Sequence, residues 1–163
     1  MYCYVIFGES EDNHTRCYLY ECPKGIKPGD IVKVPTNNKS KNALVKVVFE
    51  MIPDKLSIDS SRIRSVGTKS RECVDEKTVK SYLLSLIDEY KDEQISKENF
   101  YTIMEHMVST NELIIRSSDM EDIIKQQLPD ACLFYIEEPG DPDKKELCFW
   151  KELKDIENKL RYV

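Results

Sequence analysis

The stretch Lys27–Pro35, with the sequence KPGDIVKVP, combines a turn, a short strand and a strand end within nine residues. Proline fixes φ and glycine tolerates a positive φ, so the Pro-Gly-Asp segment predicts a tight turn. The short β-branched run Ile31–Val34 is typical of a β-strand, and Pro35 ends it because proline has no backbone donor. The stretch therefore predicts that the first part of the chain is built from strands.

The sequence on either side of this stretch predicts four more short strands. They are Tyr2–Phe7, Arg16–Glu21, Ala43–Met51 and Ile63–Val66. Polar turn segments separate the strands, including the basic loop TNNKSKN at Thr36–Asn42. Five short strands with turns at close intervals are typical of a small β-barrel, which we expect over residues 1–70.

The apolar period changes to that of an α-helix in the second half of the chain. One apolar stripe, from Val79 to Tyr90, predicts a helix over Asp75–Lys91. A second helix is predicted to begin after Ser96, whose side chain can cap free amides. A short strand at Leu113–Ile115 follows, and a third helix is predicted from Ser118 until Pro129 ends it.

The C-terminal segment predicts a β-hairpin followed by a last short helix over Leu153–Leu160. Ala131–Ile136 and Leu147–Trp150 are apolar runs of strand length, and the sequence PGDPD at Pro139–Asp143 between them is a strong turn signal. We therefore expect an α+β protein with a small barrel over residues 1–70 and an α+β domain over residues 72–163. The boundary is predicted in the Gly/Thr/Lys/Ser/Arg stretch near Gly67–Glu72.

Charge differs strongly between the two predicted domains. Residues 1–71 contain 12 basic and 8 acidic residues, a net charge of +4, whereas the rest of the chain contains 12 basic and 22 acidic residues, a net charge of −10. Such asymmetry indicates that the two halves present different surfaces to partners, or that they attract each other.

Composition excludes several classes of protein. No run approaches the roughly 20 apolar residues that span a bilayer, and the first residues lack the features of a secretory signal. We therefore expect a cytoplasmic protein without membrane contact. The cysteines form no CxxC pair, so they are expected to be reduced and mostly buried, with no metal site. They are Cys3, Cys17, Cys22, Cys73, Cys132 and Cys148.

Four segments of the first half resemble the N-terminal module of the primosomal replication helicase PriA. They are Tyr20–Pro23 (YECP), Gly29–Pro35 (GDIVKVP), Ala43–Val47 (ALVKV) and Ile63–Val66 (IRSV). The resemblance covers roughly residues 2–70 and implies a small barrel, which in that family binds the 3′ end of a DNA strand. Thr36–Lys39 replaces the family's Phe-Gly-basic loop. Short proteins of mobile elements show a similar pattern without a helicase, so a mobile-element origin is one expectation.

A basic patch in the first half is the candidate nucleic-acid site. Clustered cations bind phosphates because they release condensed counterions, and exposed aromatic rings can stack on bases. The candidate cations are Lys33, Lys39, Lys41, Lys46, Arg62, Arg64, Lys69 and Arg71, and the candidate rings are Tyr18 and Tyr20. The alternative is a solvated loop with ordinary strand-edge lysines.

An acidic set in the second half is the candidate protein-partner site. Its carboxylates could present a phosphate-like field to a basic protein, including one that binds nucleic acid. The set comprises Glu121, Asp122, Glu137, Glu138, Asp141 and Asp143. The alternative is a polar helix face and hairpin tip.

No catalytic pattern is visible in the sequence. Glu137 and Glu138 are adjacent, so on the predicted strand they face opposite sides and cannot act on one substrate atom. His14 lies in a predicted turn and His106 beside an apolar helix stripe, and neither is placed near a thiol. We expect a non-enzymatic binding protein without cofactors, acting as an interaction or inhibitory module. A nucleic-acid accessory factor is the second hypothesis, and an enzyme using assembled cysteines is the third.

Overall fold

The computed structural model describes residues 1–7, 16–37, 39–52, 62–67, 73–137 and 139–163. Its first part contains the strands β1 (Tyr2–Ile6), β2 (Tyr18–Glu21), β3 (Ile31–Pro35), β4 (Ser40–Phe49) and β5 (Val74–Asp75). The elements that follow are α1 (Glu76–Lys91), α2 (Lys97–Thr110), β6 (Leu113–Ile114), α3 (Ser118–Asp122), a π-helix (Ile123–Gln127), α4 (Leu128–Glu137) and α5 (Pro142–Tyr162). Helices and strands are both present, as the α+β prediction requires.

The first four strands form one antiparallel sheet in the order β2-β1-β4-β3. A register shift between Tyr4 and Val5 marks a bulge in the pairing of β1 with β4, and bulges bend and twist the strand that carries them. The sheet is curled into a half-barrel whose two edges are β2 and β3.

The predicted closed barrel of five strands is wrong. The predicted fifth strand, Ile63–Val66, is reduced to one bridge between Ser65 and Glu21 of β2. The segment instead bonds to both sheet edges in turn: the Val66 amide donates to the Glu21 carbonyl (2.8 Å), and the Gly67 amide donates to the Lys33 carbonyl of β3 (2.8 Å). Because it crosses from one edge to the other, it cannot run alongside either as a strand.

The two faces of the sheet pack into different apolar clusters. The inner face of the curl holds Cys3, Val5, Tyr20, Cys22, Ile26, Val32, Val34, Ala43, Val45 and Val66. Ile6, Ile31 and Leu44 belong instead to the cluster formed by the helices. The sheet is therefore shared by its own inner core and the helical core. The predicted domain boundary stays a prediction, since residues 68–72 lie outside the described part of the chain.

The predicted helices α1 and α2 are confirmed, and so is the predicted Ser96 cap of α2, whereas Asp75, predicted to lie within α1, caps it instead. The Asp75 carboxylate accepts from the Thr78 amide (2.8 Å) at the start of α1, and the Ser96 hydroxyl accepts from the Asn99 amide (3.2 Å) at the start of α2. Each contact satisfies one of the amides that a helix N-terminus leaves without a partner. Local sequence alone fixes these two helices.

The predicted C-terminal hairpin is wrong, because both of its strands are helical. Ala131–Ile136 lies within α4, and Leu147–Trp150 lies within α5. Short apolar runs fit a buried helix as well as a strand, so local periodicity does not decide between them. The turn signal between them is real, but it begins a helix: Asp141 caps α5 and Pro142 occupies its first turn, where proline costs no hydrogen bond.

The sequence predicted that Pro129 ends the third helix, and this prediction is wrong. A π-helix over Ile123–Gln127 joins α3 to α4, and the Leu128 amide donates to the Ile123 carbonyl. A proline inside a helix clashes with the carbonyl four residues earlier, and the wider π turn relieves that clash.

Among the described residues, no helix combines the length and the apolar character needed to cross a membrane.

The turn Lys27–Asp30 joins the sheet to the helices. Asp30 is buried, and its carboxylate contacts His106 Nε2 of α2 (2.8 Å) and accepts from the Lys27 amide (2.9 Å). The Asn111 side chain donates to the Gly29 carbonyl (2.7 Å). The buried Tyr82 hydroxyl of α1 adds a further bond to a strand carbonyl of the sheet. These polar contacts fix the angle at which the helices cover the sheet.

Gly29 gives a first test of this junction, with Gly25 as a matched control. Both residues have positive φ, but a Cβ on Gly29 would meet the Ile103 carbonyl at 3.1 Å, whereas a Cβ on Gly25 meets nothing within 4 Å. We expect Gly25→Ala to lower the free energy of unfolding by about 1 kcal/mol through backbone strain alone. Gly29→Ala should lose about 2 kcal/mol more through the clash. Equal losses in urea denaturation would show that the turn does not pack tightly on α2.

Glu76 gives a second test, through pH. Its carboxylate accepts from the backbone amides of Arg116 (2.5 Å) and Ser117 (3.0 Å), and these two hydrogen bonds hold the pKa of Glu76 below its ordinary value. A depressed folded-state pKa stabilises the protein above the unfolded pKa of about 4.3, and this stabilisation disappears as the pH falls through the folded pKa.

We therefore expect Glu76→Gln to cost about 1 kcal/mol of unfolding free energy at pH 7 and to approach the wild type near pH 3. The measurement is urea denaturation at both pH values. Glu112→Gln removes the same charge from an exposed position and is the control. A deficit of the Glu76 variant that stayed constant from pH 7 to pH 3 would contradict the assignment.

Candidate nucleic-acid interface

A pocket of about 600 Å³ opens at one end of the half-barrel. Four stretches of chain meet there: the end of β1, the strand β2, the connection from β3 to β4, and the segment 62–67. The lining residues are Phe7, Tyr18, Leu19, Tyr20, Pro35, Thr36, Asn37, Lys39, Lys41, Arg62 and Arg64. Six of the ten residues predicted for nucleic-acid binding are thus gathered in one place.

Two stacked rings form the aromatic part of the pocket. Val5 pairs with Tyr18 across the sheet, which brings the next residues of β1 close to Tyr18. The rings of Phe7 and Tyr18 are 4.7 Å apart and inclined by only 23°. Tyr18 is 39% exposed, so one aromatic surface remains open to a ligand.

Tyr20 has a structural role within the pocket. Its side chain is only 7% exposed and belongs to the inner core of the sheet. Its hydroxyl donates to the Pro35 carbonyl (3.2 Å), which links β2 to the end of β3. Burial raises the pKa of Tyr20, and the nearby Arg64 opposes the shift. Tyr20 therefore forms the floor of the pocket and is a poor stacking surface, contrary to its predicted role.

Four cations surround the rings. Lys39 and Lys41 come from the β3–β4 connection and the start of β4, and Arg62 and Arg64 come from the segment 62–67. The Lys41 ammonium lies 5.6 Å from the centre of the Phe7 ring, within the range of a cation–π contact. The Arg64 guanidinium donates to Asn37 at 3.5 Å, a long and weak bond.

The β3–β4 connection is held in shape by Thr36. Both the backbone amide and the hydroxyl of Thr36 donate to the Lys39 carbonyl. This local closure turns the chain back after Pro35 and places Lys39 and Lys41 on the pocket side. Of the predicted loop Thr36–Asn42, residues 40–42 belong to β4, and Thr36 is linked to Lys39 by hydrogen bonds.

The pocket combines positive charge with exposed aromatic surface. None of the described residues that line it is acidic, and none of the four cations forms an ion pair with a described carboxylate. Four like charges in one concave surface repel each other, and a bound anion relieves that repulsion. The arrangement can therefore bind a ligand that is both anionic and aromatic.

The remaining predicted cations lie elsewhere or outside the description. Lys33 is on the exposed side of β3 and does not line the pocket. Lys46 forms an ion pair with Glu89 of α1 at 3.0 Å and so connects the sheet to a helix. Lys69 and Arg71 lie outside the described residues. The candidate nucleic-acid site is therefore confined to the pocket at one end of the sheet.

The acidic set is divided between two places and is partly engaged in local structure. Glu121 pairs with Lys125 (2.6 Å), and Asp122 accepts from Gln127 (2.5 Å). Glu137 ends α4, while Asp141 caps α5 and Asp143 lies in its first turn. Glu138 lies outside the described residues. The protein-partner site stays a prediction.

The cysteines and the histidine in the described part of the chain form no reactive centre. Burial raises the pKa of both Cys3 and Cys132 to about 12, so these thiols are protonated at neutral pH and are poor nucleophiles and ligands. His106 contacts Asp30, and His14 lies outside the described residues. Within the described residues no group of three or more metal-ligating side chains occurs.

Phe7 and Asn37 belong to the pocket but were not predicted as site residues. Phe7 carries no signal as a ligand-binding residue, because an aromatic residue at the end of a strand is ordinarily core. The position of Asn37 in the basic loop was the one usable signal, and it suggested turn chemistry.

Comparison with family models, curated proteins and solved structures finds no match to this chain. The resemblance to the PriA module therefore stays a prediction.

Proposed function

We propose that the protein binds single-stranded nucleic acid through the pocket at the end of the half-barrel. The observation that carries this proposal is the stacked pair Phe7–Tyr18 with the four cations Lys39, Lys41, Arg62 and Arg64 lining the same pocket. A phosphate chain needs the cations, and an unpaired base needs an open ring.

The cations supply affinity without sequence preference. Each phosphate neutralised by a lysine or arginine releases condensed counterions, so affinity falls as salt rises. Arg62 and Arg64 are suited to this role because a guanidinium can bind two phosphate oxygens at once. Lys39 and Lys41 add point charges to the same pocket.

The rings favour a single strand over a duplex. Bases in a duplex stack on each other and are not available to a side chain, whereas an unpaired base can lie on an aromatic ring. Tyr18 is the available ring, since one face of Phe7 is covered by Tyr18 and its ring also contacts the Lys41 ammonium. A pocket of about 600 Å³ lies within the size range of small-ligand sites.

The other function expected from the sequence, binding of a protein partner by the acidic set, has weaker support. Glu121 and Asp122 already contact Lys125 and Gln127 of the adjoining π-helix, and Asp141 caps α5. Charge attraction to a basic partner would compete with these contacts. The nucleic-acid proposal therefore has priority for experiment.

The contribution of the arginines is tested by salt titration. We expect wild-type protein to bind a fluorescein-labelled 15-nucleotide oligothymidylate, with an affinity that falls steeply between 50 and 200 mM NaCl in fluorescence anisotropy. Arg62→Ala/Arg64→Ala should reduce the slope of log K against log salt by about 1.4, since each lost phosphate contact contributes about 0.7 for a single strand.

The matched control for charge is Lys144→Ala/Lys151→Ala, which removes two exposed cations from α5. It should leave the salt slope nearly unchanged. Absence of binding by the wild type at 50 mM NaCl, or binding that ignores salt, would refute the proposed function.

The contribution of stacking is tested by Tyr18→Leu. Loss of a base–aromatic stack costs about 1–3 kcal/mol, so we expect the affinity for oligothymidylate to fall by about 5- to 150-fold with an unchanged salt slope. The same anisotropy assay with a 15-base-pair duplex should show little effect. Tyr162→Leu, at a residue that is 92% exposed at the end of α5, is the control. Equal effects of Tyr18→Leu on single strand and duplex would argue against stacking.

A further inference from the structure

Both arginines of the pocket lie on the segment 62–67, which contains no α-helix and no regular strand. Residues 62–67 are attached to β2 by two backbone bonds, from Glu21 to the Arg64 carbonyl (2.9 Å) and from Val66 to the Glu21 carbonyl (2.8 Å). A third bond, from the Gly67 amide to the Lys33 carbonyl (2.8 Å), attaches the segment to β3. The Ser65 hydroxyl also donates to the Glu21 carboxylate (3.1 Å).

Val66 is the apolar anchor of this segment. Among residues 62–67 it is the one buried side chain, at 7% exposure, and it belongs to the inner core of the sheet. Arg62 and Arg64 are exposed and make no comparable packing contact. The position of their backbone therefore depends on Val66, on three backbone hydrogen bonds and on the hydrogen bond from the Ser65 hydroxyl.

We infer that Val66 is a positioning residue, which holds Arg62 and Arg64 at the pocket by fixing the segment 62–67 across the gap between β2 and β3. This inference rests on the proposed function, because it concerns the binding of phosphate by the two arginines. Val66 does not contact the ligand. It acts by setting where the two guanidinium groups can reach.

Attachment of the segment 62–67 favours ligand binding, and ligand binding in turn favours attachment of the segment. A ligand that binds only when the segment is attached stabilises the attached state, since coupling between two equilibria is reciprocal. When local opening releases the segment, its amides exchange with solvent. At a ligand concentration 100 times Kd, exchange through that opening should slow by about 100-fold.

The variant test uses Val66→Ala and the salt slope for the 15-nucleotide oligothymidylate. Removal of the anchor frees the segment, so we expect the affinity to fall and the slope of log K against log salt to drop toward that of Arg62→Ala/Arg64→Ala, a change of up to about 1.4. Val66→Ile should restore the wild-type slope.

Val45→Ala is the matched control. Val45 is buried in the same inner core but on the central strand β4. Its truncation should lower the unfolding free energy in urea without changing the salt slope. A Val66→Ala protein that is folded and keeps the full wild-type slope would overturn the inference.

A second measurement uses the wild-type protein, so it tests the inference even when Val66→Ala does not fold. Hydrogen exchange of the Val66 and Gly67 amides should slow when oligothymidylate is added at 100 times Kd. Unchanged exchange of both amides, with salt-dependent binding present, would overturn the inference while the proposed function stands. Absence of salt-dependent binding by the wild type would instead remove the proposed function itself.

Discussion

The buried carboxylate of Asp30 is the constraint on which the arrangement of this protein depends. Burying an unpaired charge is strongly unfavourable, yet Asp30 is only 2% exposed. It is accommodated by His106 of α2 and by the Lys27 amide of its own turn. Because these partners come from the helical part and the sheet part, both contacts form only when the two parts are docked. Gly29 permits that docking, since its position leaves no room for a side chain.

The curl of the sheet determines what kind of site the protein has. A flat sheet would keep β2 and β3 at opposite edges and would separate Tyr18 from Lys39. In the half-barrel the segment 62–67 spans the gap and brings its arginines to the same pocket. The site thus lies where the sheet does not close. Lys39, Arg62 and Arg64 come from connections, whereas Lys41 and the two rings come from the ends of strands. Such a site is held by few bonds, so its geometry depends on anchors such as Val66.

The difference between the predicted and observed C-terminal halves has a physical cause. Ala131–Ile136 and Leu147–Trp150 are short, apolar and rich in aromatic residues, and either a strand or a buried helix satisfies that pattern. In the structure Phe149 packs against Tyr90 and Phe100 of the first two helices. A helix is the form that presents Phe149 to these partners together with Leu153 and Ile156, which lie one and two turns further on. Packing against the helical core, and not the sequence of the two segments themselves, therefore determines that they are helices.

The sequence by itself determined α1, α2 and the Ser96 cap of α2, the four strands of the N-terminal sheet, and the turn at Lys27–Asp30. These features follow from contacts between residues close in the chain, namely side-chain caps, alternation and proline or glycine geometry. Tertiary structure alone decided that Phe7, Tyr18, Lys39 and Arg64 share one pocket, and that the predicted fifth strand bridges two edges. These features depend on how far the sheet curls, and curl results from the packing of many residues that are distant in sequence.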